Sequence, residues 1–198
     1  MGPQFWNQRY SEHPNVYGDK PNVFLAEALA QWKPGKLLLP AEGEGRNAQY
    51  CIQQGWCVEA FDYSKVACEK MLARIGDNAL FSIREESVES YHSLHPRFDA
   101  IAFVFVPIHE NHLEQIFARY ASYLKPGGHL LLEAFAKEQL FNKSGGPKDS
   151  DFLLSEERVR SIQIGLKLEY CEHLQIVLDE GPFHQGKAEV IRAIWVKK

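Results

Sequence analysis

The sequence predicts an α/β fold: a doubly wound, mostly parallel sheet of seven strands with helices on both faces, ending in a C-terminal antiparallel hairpin. Three observations carry that prediction. From residue 22 onward, short apolar runs alternate with helical patterns, as in a parallel sheet covered on both sides. The run "FDAIAFVFV", 98–106, is apolar at nearly every position, which suits a strand buried on both faces. The segments "YCEHLQIVLDEG" and "KAEVIRAIWVKK" are joined by a short Gly/Pro/His turn with no helix between them, so they pair antiparallel.

Taken in order, Asn22 caps a helix whose apolar stripe is Phe24, Leu25, Ala28, Leu29 and Trp32, and "KPG" ends it. "KLLLPA", 36–41, is the first strand. A glycine loop then opens a helix through Ile52, "CVEAFD", 57–62, is the second strand, and Ser64 caps a helix that ends near Gly76. "ALFSI", 79–83, and the 98–106 run are strands three and four. Asn111 with Glu114 reads as a capping box ahead of Leu113, Ile116, Phe117, Tyr120, Ala121 and Leu124, which recur at helical spacing until "KPGG". "HLLLEAF", 129–135, is strand five. A polar stretch, a short helix from Ser155 and the hairpin complete the chain.

The 198 residues are 45% apolar and 24% charged, an ordinary balance for one domain spanning 1–198. Net charge is −4, and 151–198 holds seven Lys/Arg against eight Asp/Glu, so no basic stripe is available to follow a phosphate backbone; nucleic acid is disfavoured as a substrate. The four cysteines lack C-x-x-C spacing and nothing at the N-terminus reads as a secretory signal, so reduced thiols in a cytoplasmic protein, and no metal site, are expected. The longest apolar run, 100–108, is about half of what a membrane span needs, and "MGPQFW" has Trp6 where a myristoylation signal needs Ser or Thr. No membrane partner is expected.

The loop after strand one raises the chemical question. Gly43-x-Gly45-x-x-Ala48 fits the G-x-G-x-x-G/A fingerprint of Rossmann-like folds, and Asp62, at the end of strand two, stands where ribose hydroxyls are bound. Asp62 also reads as an N-terminal acid for the helix at Ser64. Glu42 and Glu44 discriminate between ligands. A carboxylate about 5 Å from a diphosphate costs roughly 3 kcal/mol per charge pair at an effective dielectric near 20. S-adenosylmethionine instead presents an α-ammonium and a sulfonium there, and the sign reverses. Arg46 either offsets the acids or meets the cofactor's carboxylate at the helix start. Glu85 or Glu86, just past strand three, accepts from an adenine amino group; the sequence does not choose between them.

"LLLPAEGEGRNA", "AFDYS", "YLKPGGHLLLEAF" and the terminal hairpin together resemble class I S-adenosylmethionine-dependent methyltransferases over nearly the whole chain. "FWNQRY", "YGDKPNVFL", "EGEGRNA", "LEAFAKEQL" with "SGGP", and "EG" followed by "H.G" resemble a small bacterial branch related to tellurite-resistance and thiopurine-type methyltransferases. The resemblance implies transfer of a methyl group from S-adenosylmethionine, leaving S-adenosylhomocysteine, to a small-molecule acceptor. It implies that Glu42, Gly43 and Gly45 shape the methionine end of the site; Glu44, Arg46 and Asn47 are further candidate cofactor-binding residues. Asp62 serves the ribose and the strand-three loop the adenine; Tyr63, Ser64 and Phe105 are further candidate cofactor-binding residues. Tyr10, Tyr17 and Gly18 belong to an N-terminal lid, 1–20. Pro40 departs from the family pattern, and strand one is expected to end early or bend there.

Methyl transfer is an in-line displacement that needs the acceptor within about 3–3.5 Å and water excluded. Neither an "NPPY"-like segment nor a Pro-Cys nucleophile is present; strand four runs into "VFVPIHE". His109 and His184 are the candidate catalytic bases for a thiol or hydroxyl acceptor; His109 reads equally as a loop histidine bonded to backbone. The polar stretch within 140–155 is a candidate substrate loop or a surface loop. Two other readings compete: a nicotinamide-dependent oxidoreductase, and a non-catalytic S-adenosylmethionine-binding regulatory module.

Overall fold

The computed structural model describes residues 2–93 and 97–198. Its elements are α1 (Pro3–Glu12), α2 (Val23–Leu29), β1 (Lys36–Pro40), α3 (Arg46–Gln53), β2 (Cys57–Asp62), α4 (Lys65–Ile75), β3 (Phe81–Glu85), β4 (Phe98–Val104), α5 (Glu110–Tyr123), β5 (Leu124–Phe135), α6 (Glu156–Arg160), β6 (Lys167–Asp179) and β7 (Gln185–Val196), with 3-10 turns at Lys137–Phe141 and Ser150–Phe152. One seven-stranded sheet runs in the order β3-β2-β1-β4-β5-β7-β6. The first five strands pair in parallel, and β7 is antiparallel to both β5 and β6. The winding reverses between β1 and β4, and the crevice beyond their carboxyl ends is where an open sheet of this kind takes its ligand.

Each strand places successive side chains on opposite faces, and β1 shows the result. Leu37 and Leu39 pack with Leu25, Trp56, Val58, Ala60 and Met71, whereas Leu38 joins Phe61, Phe98, Phe103, Phe117 and Tyr120 in the other layer. Burying such a leucine contributes roughly 1.5–3 kcal/mol. The acid inside β2 is compensated: Glu59 accepts from Tyr91 Oη at 2.7 Å and pairs with Arg97 at 2.6 Å.

The caps at Asn22 and Ser64 form as expected, their side chains accepting from the N–H groups of Leu25 and Ala67, and the short helix expected from Ser155 starts at Glu156 with Ser155 capping it through Arg158 N. The capping box at Asn111 does not form. α5 begins at Glu110, and His109 is its N-cap, Nδ1 accepting from Asn111 N at 3.3 Å. Glu114 instead accepts from Gln163 N and pairs with Arg158. Strand three starts at Phe81 because Asn78 closes a turn, accepting from Leu80 N on its side chain and from Phe81 N on its carbonyl. Strand four stops at Val104 because Phe105 turns the chain at φ 54°. β1 ends at Pro40, one residue short of the predicted run, because Ala41 turns the chain at φ 49°; Pro40 itself stays in register with Phe61, and the Glu42 N–H resumes the ladder to Phe61 O at 3.1 Å. α1 had no signal beyond Pro3 at its first turn.

Candidate active site

Beyond β1 the chain turns at Ala41, φ 49°, into a loop whose charges are sorted by their partners. Glu42 Oε1 accepts from Asn47 N and Ala48 N, each at 2.8 Å, and Oε2 accepts from Asn47 Nδ2 at 3.1 Å. Two of the free N–H groups in the first turn of α3, those of Asn47 and Ala48, are therefore taken by this carboxylate. Asp62 Oδ2 accepts from Gly43 N at 3.0 Å and Oδ1 from Ser64 N at 2.8 Å, so it ties the glycine loop to the start of α4. Burial pushes both Glu42 and Asp62 up to about 6, against the pull of those N–H donors. Among the described residues neither acid forms an ion pair.

Glu44 and Arg46 are spent differently. Glu44 accepts from Asn15 N at 3.2 Å and Val16 N at 2.6 Å and pairs with Lys70 at 2.9 Å, which straps the N-terminal segment to the loop. Arg46 donates to Glu180 at 2.8 Å and to Lys20 O at 3.3 Å. The uncompensated negative charge thus lies on Glu42 and Asp62, not on Glu42 and Glu44.

Three distant segments cover this floor. On α1, Trp6, Arg9 and Tyr10 share a face at i, i+3 and i+4, and Asn7 Oδ1 accepts from Ser64 Oγ at 2.7 Å, docking the helix on α4. The Tyr10 hydroxyl lies 2.7 Å from where a Cβ on Gly43 would stand, and Gly43 has φ +69°, so glycine is required twice over. The hairpin turn meets the N-terminal segment main chain to main chain: a Cβ on Gly181 would lie 2.5 Å from Gly18 N. The loop between β5 and α6 leans on the same turn, with Gly145 against Phe183 O and His184. Arg9 donates to Tyr17 Oη at 3.2 Å and stands over the rings of Phe5, Trp6 and Phe183; among the described residues it has no carboxylate partner.

The cavity measures about 1000 Å³. Of the predicted cofactor residues, Tyr10, Tyr17, Gly18, Glu42, Glu44, Arg46, Asn47, Asp62, Tyr63, Glu86 and Phe105 line it. Gly43, Gly45 and Ser64 lie behind that wall: Gly43 under Tyr10, Gly45 against Met71, and Ser64 capping α4. Glu85 is exposed at the end of β3, whereas Glu86 reaches the cavity. Phe5 and Trp6, expected with Tyr10 and Tyr17 to form an aromatic N-terminal cover, line it too; Arg9, Phe135, Phe152 and Phe183 also line it and were not singled out from sequence, the shared face of "FWNQRY" being the available signal for Arg9. His109 and His184 both reach the cavity, but His109 has both ring nitrogens engaged, Nδ1 on Asn111 N and Nε2 at 3.3 Å from Asp151. His184 is buried between Tyr17, Phe105 and Phe135, and its Nδ1 faces Glu180 at 3.4 Å. No group of three or more metal-ligating side chains occurs among the described residues, and no helix is long and apolar enough to cross a membrane.

Residues 40–128 match the family model of a methyltransferase domain. A search of curated protein sequences finds no match. Among solved structures the chain is similar to TehB from Haemophilus influenzae, at 15% identity and TM-score 0.73, over 98% of this chain and 67% of that one. It is similar to a SAM-dependent methyltransferase from Methanosarcina mazei, at 14% identity and TM-score 0.67, over 90% and 98%. A third likeness is phosphoethanolamine N-methyltransferase 2 of Haemonchus contortus in complex with S-adenosyl-L-methionine, at 16% identity and TM-score 0.75, over 98% and 58%. At such identities the likeness is one of fold. The chain thus carries a methyltransferase-domain match over 40–128, and its strand order and the structural likenesses together show a Rossmann-like methyltransferase fold.

Proposed function

We propose that the cavity takes S-adenosylmethionine across the ends of β1 and β2 and, beside Phe105, Phe135 and His184, a small-molecule acceptor with a soft nucleophilic atom such as a thiol or a metalloid oxyanion. The observation that carries this reading is the carboxylate pair of half-buried Glu42 and buried Asp62, which makes no ion pair among the described residues. A ligand bearing positive charge near the glycine loop relieves their desolvation; a diphosphate makes it worse, and Arg46, the nearest cation that would offset it, is already held by Glu180. The nicotinamide reading fails on the same charge. A volume of about 1000 Å³ sits at the top of the range for small-molecule sites and has room for donor and acceptor together.

Within this reading Asp62 holds the ribose, Glu86 and Tyr63 lie beside the adenosine, and Glu42, Tyr10, Tyr17, Gly18 and Asn47 surround the methionine end. Glu44, Arg46, Gly43, Gly45 and Ser64 fix the position of those groups without supplying contacts of their own. Arg9 takes the cofactor's carboxylate, because the Arg46 side chain and the Asn47 and Ala48 N–H groups of α3 are already engaged. The bound cofactor supplies an electrophilic methyl carbon; the protein brings the acceptor into line with it and shuts out water under α1 and the two loops. All four cysteines are free, which suits a cytoplasmic setting.

Calorimetry with S-adenosylhomocysteine and with NAD tests the cofactor, and release of S-adenosylhomocysteine across thiols, selenite, tellurite and small amines tests the acceptor. Binding of NAD and not of S-adenosylhomocysteine overturns the reading. Arg9→Met should weaken S-adenosylhomocysteine about 10- to 100-fold, the worth of a lost charge-assisted bond, and leave 5′-methylthioadenosine, which lacks the carboxylate, unchanged. Equal losses for both ligands refute the role of Arg9.

A further inference from the structure

We propose that Glu180 is a positioning residue that fixes the tautomer of His184 so that its Nε2 serves as the general base, and hence that the natural acceptor is a protic nucleophile, a thiol or hydroxyl still carrying its proton. The proposal rests on the methyltransferase reading above.

Glu180 is anchored from three directions. Oε2 accepts from Arg46 at 2.8 Å and faces His184 Nδ1 at 3.4 Å, and Oε1 accepts from Asn22 Nδ2 at 3.2 Å. Burial works against its charged form, but His184 and Arg46 hold it down at about 2. An ionised carboxylate only accepts, so Nδ1 must carry the proton and Nε2 its lone pair. The ring is fixed by Tyr17, Phe105 and Phe135 at 4.4, 4.8 and 5.2 Å between centroids. Nε2 has no partner among the described residues and is not a sealed orphan, and the residue lines the cavity, so this nitrogen opens to whatever occupies the space.

The charged and titratable groups facing the imidazole are Glu180 on the hairpin, Arg46 on α3, and Arg9 and Tyr17 from the N-terminal segment; Lys143 and Lys148 line the same cavity. Burial lowers its pKa, Glu180 raises it, and Arg46 and Arg9 lower it again, so the ring is neutral and able to accept near pH 7. The anchor also reaches the donor site. Asn22 N donates to Asn47 Oδ1 at 2.8 Å, and Asn47 N donates to Glu42, so an unbroken chain runs from Glu42 to the base.

In the step itself the acceptor's proton passes to Nε2, the electron pair of that bond stays on the nucleophile and forms the new bond to the methyl carbon, and the pair of the broken carbon–sulfur bond stays on the departing sulfur. His184 returns its proton to solvent as product leaves.

Two measurements test this. Long-range ¹H–¹⁵N NMR of the wild-type protein should show the His184 Nδ1–H tautomer near pH 7; an Nε2–H tautomer overturns the proposal without reference to activity or folding. His184→Gln and Glu180→Gln should each lower kcat by about 10²- to 10⁴-fold on acceptors protonated at the assay pH, and far less on acceptors already ionised. Because Glu180 raises the imidazole pKa, Glu180→Gln should also move the acid limb of kcat to lower pH, which a purely structural defect would not do. Equal losses on both acceptor types, or an unmoved limb, sink the proposal. Methyl transfer to no acceptor, with or without the substitutions, would sink the methyltransferase reading instead.

Discussion

Replacing Gly181 by alanine asks whether the hairpin turn is the seat of the N-terminal segment. At φ +79° the new Cβ would stand 2.5 Å from Gly18 N, 2.9 Å from Val16 O and 3.0 Å from Tyr17 C. All three are main-chain atoms, so no side chain can swing aside. The left-handed backbone costs a non-glycine residue about 1–2 kcal/mol, and overpacking adds about 1–3 kcal/mol. Gly165→Ala is the control: its φ is +73°, with nothing within 4 Å of the new Cβ, so it carries the first cost alone. The difference between the variants, about 1–3 kcal/mol, isolates the contact. If the clash is relieved by lifting the segment off the turn, the loss moves from stability to affinity, roughly 5- to 100-fold for S-adenosylhomocysteine, because Tyr17 and Gly18 leave the site. Urea unfolding and calorimetry on both variants measure the two terms. Equal stability and equal affinity for Gly181→Ala and Gly165→Ala would refute the argument.

Two further outcomes follow from the charges. Glu42 and Asp62 titrate near 6 in the fold against 4.5 and 3.8 for open-chain carboxyls, so their burial opposes folding fully above pH 6 and not at all below about pH 4, by roughly 2 and 3 kcal/mol. A cationic ligand pulls both values down, so binding of S-adenosylmethionine between pH 5 and 6 should release protons; calorimetry in buffers of different ionisation enthalpy reads the number, and none released would contradict the role of these acids. His109 acts as the cap of α5, so His109→Ala should cost about 1 kcal/mol in unfolding free energy and leave kcat nearly unchanged; a drop in kcat of tenfold or more without loss of fold would restore it as a base.

The strand runs and the Asn22 and Ser64 caps were legible because each depends on a few consecutive side chains. The short elements were not. α1 carries little apolar signal of its own and forms by docking Asn7 on Ser64, while the cap of α5 passed from Asn111 to His109 once Phe105 turned the chain at positive φ. Around the cavity, Asp62, Glu42, Tyr10 and Tyr17 were named from motif position and do line it. Arg9 and Glu180 were not, since each takes its meaning from a partner far along the chain: Phe183 for the one, Arg46 and Asn22 for the other.

By itself, then, the sequence determined the layered α/β architecture, the closing hairpin and the presence of acids at the glycine loop, because periodicity, caps and turn residues act over a few positions. Only the tertiary structure decided which acids keep their charge uncompensated. Lys70 and the Asn15–Val16 backbone claim Glu44, Glu180 claims Arg46, and Glu42 and Asp62 are left facing the cavity. Charge pairing is a matter of distance in space, and folding brings Arg46 to 2.8 Å from a residue 134 positions away.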